Sequence, residues 1–141
     1  TPIWEDSIGV VCRSDHRLAG EVELSWQQLR GERLIANGTS RLLAGTAAEE
    51  LVADSQFYMS NMISLLAMLE TGMGITTLPR FAFPTGHAQL HFIPLGDPLI
   101  KRDIGIVYAA NRSLPVAAQA LFEFILRDAE LNPARADSDS V

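Results

Sequence analysis

The sequence predicts an α/β fold with mixed, mostly parallel sheets flanked by helices. Short apolar runs bounded by turn residues alternate with segments whose apolar residues recur at helical spacing. The 141 residues are 48% hydrophobic and 20% charged, which suits a globular chain able to bury a core. Strands that alternate with helices are expected to join through helical crossovers, and such crossovers make neighbouring strands parallel.

Each element follows from its residues. Ile8 to Arg13 (I-G-V-V-C-R) reads as a buried strand, closed by the turn-forming Ser14, Asp15 and His16. Ser25 and Gln28 stand at capping-box spacing, so a short helix begins there and Gly31 stops it. Arg33 to Ala36 is a second strand. Asn37-Gly38-Thr39-Ser40 is a loop ending in good N-cap residues. A helix from Arg41 to Ala53 follows, with Leu43, Ala47 and Leu51 on one face and Gly45 as a weak point. Phe57 to Met59 is a short strand, and Ser60 or Asn61 caps the next helix. That helix carries the stripe Met62, Leu65, Leu66 and Leu69 and ends at Gly72. Gly74 to Leu78 is a β-branched strand closed by Pro79. Leu90 to Leu95 and Ile104 to Ala109 are the last strands. Ser113 and Pro115 start a final helix with Ala117, Leu121, Phe124 and Ile125. Residues 129–141 turn polar, with Pro133 and alternating Asp and Ser, and are expected to form a disordered tail.

Charge excludes one class of partner. The formal net charge is -6, and the arginines are scattered among more numerous acids. Phosphate neutralisation supplies most nucleic-acid affinity, so this chain alone is not expected to grip DNA. The single cysteine, Cys12, has no partner for a disulfide and no neighbour at zinc-ligand spacing, which fits a cytoplasmic protein. No apolar run is long enough for a membrane span. The chain lacks an initiator Met and reads as a piece of a longer protein.

Catalytic signals are absent from the sequence. Gly72-Met73-Gly74 resembles part of a dinucleotide fingerprint, but there a strand leads into a helix, whereas here a helix leads into a strand. A helix C-cap and tight turn is the better reading. His87 and His91 have helical spacing but lead into a strand, and no carboxylate joins them at zincin spacing. No nucleophile elbow, phosphate loop or Cys–His pair is present. Neither a cofactor nor a metal is expected.

The candidate binding residues sit at two strand-to-helix junctions. In open α/β sheets, ligands lie beyond the carboxyl ends of strands, beside helix N-termini. Asn37, Thr39 and Ser40 occupy one such junction and Ser60 and Asn61 the other. Each offers free amides, a positive helix end and hydroxyl or amide side chains, a donor set suited to a small carboxylate. Simple capping of their own helices is the plainer role for these residues, and the two roles are compatible.

Ser60 to Pro79 (S-N-M-I-S-L-L-A-M-L-E-T-G-M-G-I-T-T-L-P) resembles the most recognisable stretch of LysR-type effector domains. Val11 to Ala19 resembles the family's strand and Asp-His-x-Leu-Ala turn. Leu29 to Ile35 resembles its Leu-x-Gly-Glu-x-Leu-Ile segment. Ile104 to Tyr108 followed by Ser113 to Ala120 resembles its last strand and helix. The resemblance spans about residues 8–127, without the family's amino-terminal helix-turn-helix or the first half of its first effector subdomain.

This resemblance implies a two-lobed fold like that of type 2 periplasmic binding proteins, with the first lobe incomplete. Residues 1–17 and 104–128 would belong to subdomain I and residues 18–103 to subdomain II, with Ile8–Arg13 and Ile104–Ala109 as crossover strands. Both junctions would face the interlobe cleft, where a small effector, such as a carboxylate, would bind. The resemblance also implies a homodimer or tetramer through the effector domains, and DNA contact only through the absent helix-turn-helix. The alternative is a transport-type solute-binding protein of the same fold. An enzyme would need a constellation that the sequence lacks.

Overall fold

A computed structural model describes residues 1–132. Its strands are β1 (Pro2–Arg13), β2 (Leu24–Ser25), β3 (Ile35–Asn37), β4 (Phe57–Met59), β5 (Thr76–Pro79), β6 (Leu90–Gly96) and β7 (Lys101–Gly105). Its α-helices are α1 (Glu49–Ala53), α2 (Met62–Glu70) and α3 (Val116–Leu131). The chain divides into two compact units. Among the described residues, one comprises 1–6 with 102–132, and the other comprises Ser7–Lys101. Residues 7–17, which the resemblance assigns to subdomain I, therefore cluster with the second unit.

In the second unit β1 is the spine. It runs antiparallel to β5 on one side, with Val10 opposite Thr77, and to β6 on the other, with Val10 opposite Ile93. Strand alternation sends Ile8, Val10 and Cys12 into one apolar cluster and Val11 into another. Both faces of β1 are thus buried, which is why Ile8 to Cys12 is a nearly continuous apolar run. Parallel pairing appears where segments cross over: β2 on β6, β3 on β4, and the bridge between Leu34 and Ile75. The pairing is therefore mixed, and the antiparallel share comes from β1.

The α2 stripe packs as its spacing requires. Leu65 and Leu69 are buried with Ile35 and Leu78, and Met62 and Leu66 pack against them. Gly72 adopts φ 76°, a left-handed conformation that costs glycine little, and its N–H bonds the Leu69 carbonyl to close the helix.

Three expectations need correction. The helix predicted over Arg41–Ala53 is broken into a 3-10 turn at Ser40–Leu43 and α1 at Glu49–Ala53. Gly45 between them has φ 75°, the Glu49 carboxylate accepts from the Gly45 N–H, and the Thr46 hydroxyl donates to the Leu43 carbonyl. These local bonds compete with the helix ladder and win. The last strand is Lys101–Gly105, not Ile104–Ala109. Its pairing ends where Ile106 bonds Thr1, just before β1 begins. Finally, residues 129–131 continue α3 and are not tail; residues 133–141 lie outside the described residues.

In the first unit, the Arg102 guanidinium grips the buried Asp6 carboxylate at 2.9 and 3.0 Å. Tyr108 packs edge-on to Phe122 of α3. Leu121 and Phe124, in the predicted stripe of α3, are 59% and 66% exposed, so this face is not covered among the described residues. No described helix is long and apolar enough to cross a membrane.

Candidate functional site at the carboxyl ends of two parallel strands

The fold brings the two junctions together. β3 and β4 are parallel neighbours, in register Ile35 to Phe57, Ala36 to Tyr58 and Asn37 to Met59. Asn37 and Met59 end their strands side by side, so the loop Gly38-Thr39-Ser40 and the loop Ser60-Asn61 leave from one level.

The first loop is tied down by Asn37, whose side chain is buried. Its amide NH2 donates to the Thr76 hydroxyl at 2.8 Å and to the Thr77 carbonyl at 2.9 Å. Its carbonyl oxygen accepts from the Thr39 N–H at 2.8 Å and the Thr39 hydroxyl at 2.6 Å. Both amide hydrogens and both lone pairs are thereby used inside the protein. The Thr76 hydroxyl passes its own hydrogen to the Ile35 carbonyl, so the network locks β3, β5 and the loop together. Ser40 completes it by accepting from the Asn37 N–H at 3.0 Å, which leaves its hydroxyl hydrogen available.

Capping divides unequally among the predicted residues. Thr39 stands before the 3-10 turn but makes no side-chain cap. Asn61 does cap α2, its carbonyl oxygen accepting from the Ser64 N–H at 3.1 Å. A side-chain cap serves one of the first-turn amides and leaves others for a ligand. Asn61 and Ser60 are exposed, while Thr39 and Ser40 are half-buried. The Asn37 side chain, by contrast, has its hydrogen-bonding groups taken up inside the protein and shapes the loop.

Tyr58 was missed by sequence reasoning. It is 62% exposed, and its hydroxyl lies 4.0 Å from where a Cβ on Gly38 would stand. The signal was present: Tyr58 pairs in register with Ala36, one residue before the strand ends, so a long side chain there reaches the loop mouth. Elsewhere, burial and the nearby Glu32 push the Cys12 thiol up to about 11, which keeps it protonated at neutral pH. Among the described residues, no cluster of three or more His, Cys, Asp or Glu could hold a metal.

The profile of the LysR substrate binding domain matches residues 1–130. The chain belongs to the LysR substrate-binding family. A similar sequence, 30% identical over 132 residues, is the HTH-type transcriptional regulator YbhD of Escherichia coli (strain K12); the match covers 89% of this chain and 42% of that protein. This LysR domain thus spans less than half the length of the curated relatives it matches. Two solved effector-binding structures share its fold. The CcmR regulatory domain of Synechocystis PCC6803, in complex with 2-PG, has a TM-score of 0.71 at 20% identity, over 92% of this chain and 66% of that one. The QuiR effector-binding domain, in complex with shikimate, has a TM-score of 0.74 at 19% identity, over 92% and 64%.

Proposed function

We propose that this chain is the effector-sensing part of a LysR-type transcriptional regulator, and that a small carboxylate binds at the paired ends of β3 and β4. Thr39, Ser40 and Asn61 contact the effector, with Ser60 beside them and Asn37 holding the first loop in shape. Tyr58 forms a wall at the mouth. The observation that carries this reading is the β3–β4 register, which sets Asn37 against Met59 and so gathers both donor-bearing loops. The nine-residue α2 contributes the amides of its first turn and its positive end. The QuiR domain binds shikimate, a carboxylate, and this agrees with the donor set.

The remaining parts of the proposal follow from family membership and charge. Residues 1–17 with 104–128 and residues 18–103 are the two effector subdomains, with residues 7–17 the crossover segment whose contacts are with the second. The regulator is a cytoplasmic homodimer or tetramer, contacts DNA through a segment outside this chain, and is not an enzyme. The profile match and the helix-turn-helix relatives favour this reading over a transport protein. Because the chain carries a net charge of -6, it should not shift duplex DNA in a gel at physiological salt. Micromolar, salt-sensitive binding would contradict that.

A thermal-shift screen with small carboxylates and aromatic acids, shikimate among them, tests the site. A ligand at 100 times its dissociation constant stabilises by about 2.7 kcal/mol, a shift of several degrees. At least one acid should raise the midpoint and be recovered unchanged. Chemical turnover abolished by a substitution in this chain would overturn the sensor reading.

A further inference from the structure

A concavity lies at the other ends of the same strands. It encloses about 640 Å³ within the second unit, beside Arg33 and Leu34, which lead into β3, and Ser55 and Gln56, which lead into β4. Apolar residues in its lining are the buried Leu29 and Leu34 and the half-buried Leu51. Its rim is charged in two halves. The segment before β3 supplies Arg30 and Arg33, and α1 with the residue after it supplies Glu50 and Asp54. Glu50 and Asp54 are spaced to share one helical face.

None of these four side chains has an ion-pair or hydrogen-bond partner among the described residues, although opposite charges border one hollow. Glu32, also on the rim, differs: Arg17 and His16 already engage its carboxylate. Ser55 also borders the hollow; its hydroxyl is buried without a hydrogen-bond partner in the protein, a state that carries a free-energy cost.

We propose that this hollow is a ligand site for a small zwitterion, a free amino acid, distinct from the carboxylate site at the opposite ends of β3 and β4. Its carboxylate meets Arg30 and Arg33, whose planar guanidinium groups suit bidentate carboxylate binding. Its ammonium meets Glu50 and Asp54. Its side chain lies on Leu34 and Leu51. A ligand with only one charge would satisfy one half of the rim and leave the other half exposed to repel or ignore it. The charged groups are exposed, so the binding weakens as salt rises.

The test is calorimetric titration of the whole chain at low ionic strength with each of the twenty free L-amino acids. The N-acetyl derivative and the decarboxylated amine of each binder follow. At least one amino acid should bind, and each single-charge derivative should bind roughly tenfold more weakly, the scale of losing hydrogen bonds to a charged group. Arg33→Gln and Glu50→Gln should each weaken the amino acid by a similar factor and leave the thermal midpoint of the free chain unchanged, because neither side chain has an internal partner. Ser40→Ala and Asn61→Ala should leave this affinity unaltered, which separates the result from the fate of the carboxylate site. Binding of none of the twenty, equal binding of a single-charge derivative, or affinity that survives both Arg33→Gln and Glu50→Gln overturns the proposal. Loss of affinity in Ser40→Ala but not in Glu50→Gln would overturn it too, by moving the amino acid to the other end of the strands.

Discussion

The two strand-to-helix junctions of this domain are built from the same kinds of residue, yet they differ in what they leave free. At the end of β3, Asn37 spends every hydrogen-bonding position on Thr76, Thr77 and Thr39, and Ser40 bonds back to the Asn37 amide. At the end of β4, Ser60 and Asn61 are exposed, and that loop is tied to α2 by the Ser64 N–H donating to the Asn61 side chain and the Leu65 N–H donating to the Asn61 carbonyl. One junction is a rigid, preorganised edge. The other is exposed, and the Asn61 side chain makes a single bond, as the cap of α2. A binding site gains from this division, since ordering a loop in advance reduces what must be ordered when the ligand arrives.

The largest effect expected of this difference is on stability. Asn37→Ala would strand the Thr77 carbonyl and the Thr39 N–H and deprive the Thr76 hydroxyl of a donor. Each buried group left without a partner costs about 1–3 kcal/mol, so the variant should lose at least about 2 kcal/mol in denaturant unfolding. A loss under about 0.5 kcal/mol would mean that the network does not hold the first junction. At the second junction the corresponding cost is smaller. Asn61→Ala removes one cap and should cost about 1 kcal/mol. If Asn61→Ala proves as damaging as Asn37→Ala in the same unfolding series, the contrast between the two loops fails.

How much of this was legible in the sequence differs between the same two places. The second junction was read almost to the residue: β4 is Phe57–Met59, Asn61 is the cap, and Gly72 closes α2. Those signals are local, being a strand bounded by a polar pair, an apolar stripe of period 3.6 and a glycine stop. The first junction was located but its inner wiring was not. The partners of Asn37 are Thr76 and Thr77, far along the chain, and no local pattern announces a bond between them. The broken helix after Arg41 shows the same limit, because the apolar spacing of Leu43, Ala47 and Leu51 outweighed Gly45 and the bonds made by Thr46 and Glu49. β7 was misplaced because its start, Lys101-Arg102-Asp103, is polar; Arg102 belongs there through its ion pair with Asp6, a partner near the other end of the chain.

The smallest expected effect concerns Tyr58, which stands exposed beside Gly38. Tyr58→Phe should change fold stability by no more than about 0.5 kcal/mol, as befits an exposed side chain. If its hydroxyl reaches the ligand, effector affinity should fall by about twofold to tenfold, the equivalent of one neutral hydrogen bond. An unchanged affinity would confine the tyrosine to a steric role.

The central claim is that the two junctions act as one effector site. It is tested most directly by calorimetric titration of wild type, Ser40→Ala and Asn61→Ala with whichever carboxylate raises the thermal midpoint most. Ser40 sits on the rigid edge and Asn61 on the open one, so the account predicts that each substitution alone weakens binding several-fold. Unchanged affinity in both variants, with the fold intact, would show that these residues only cap and brace their own elements and that the effector binds elsewhere.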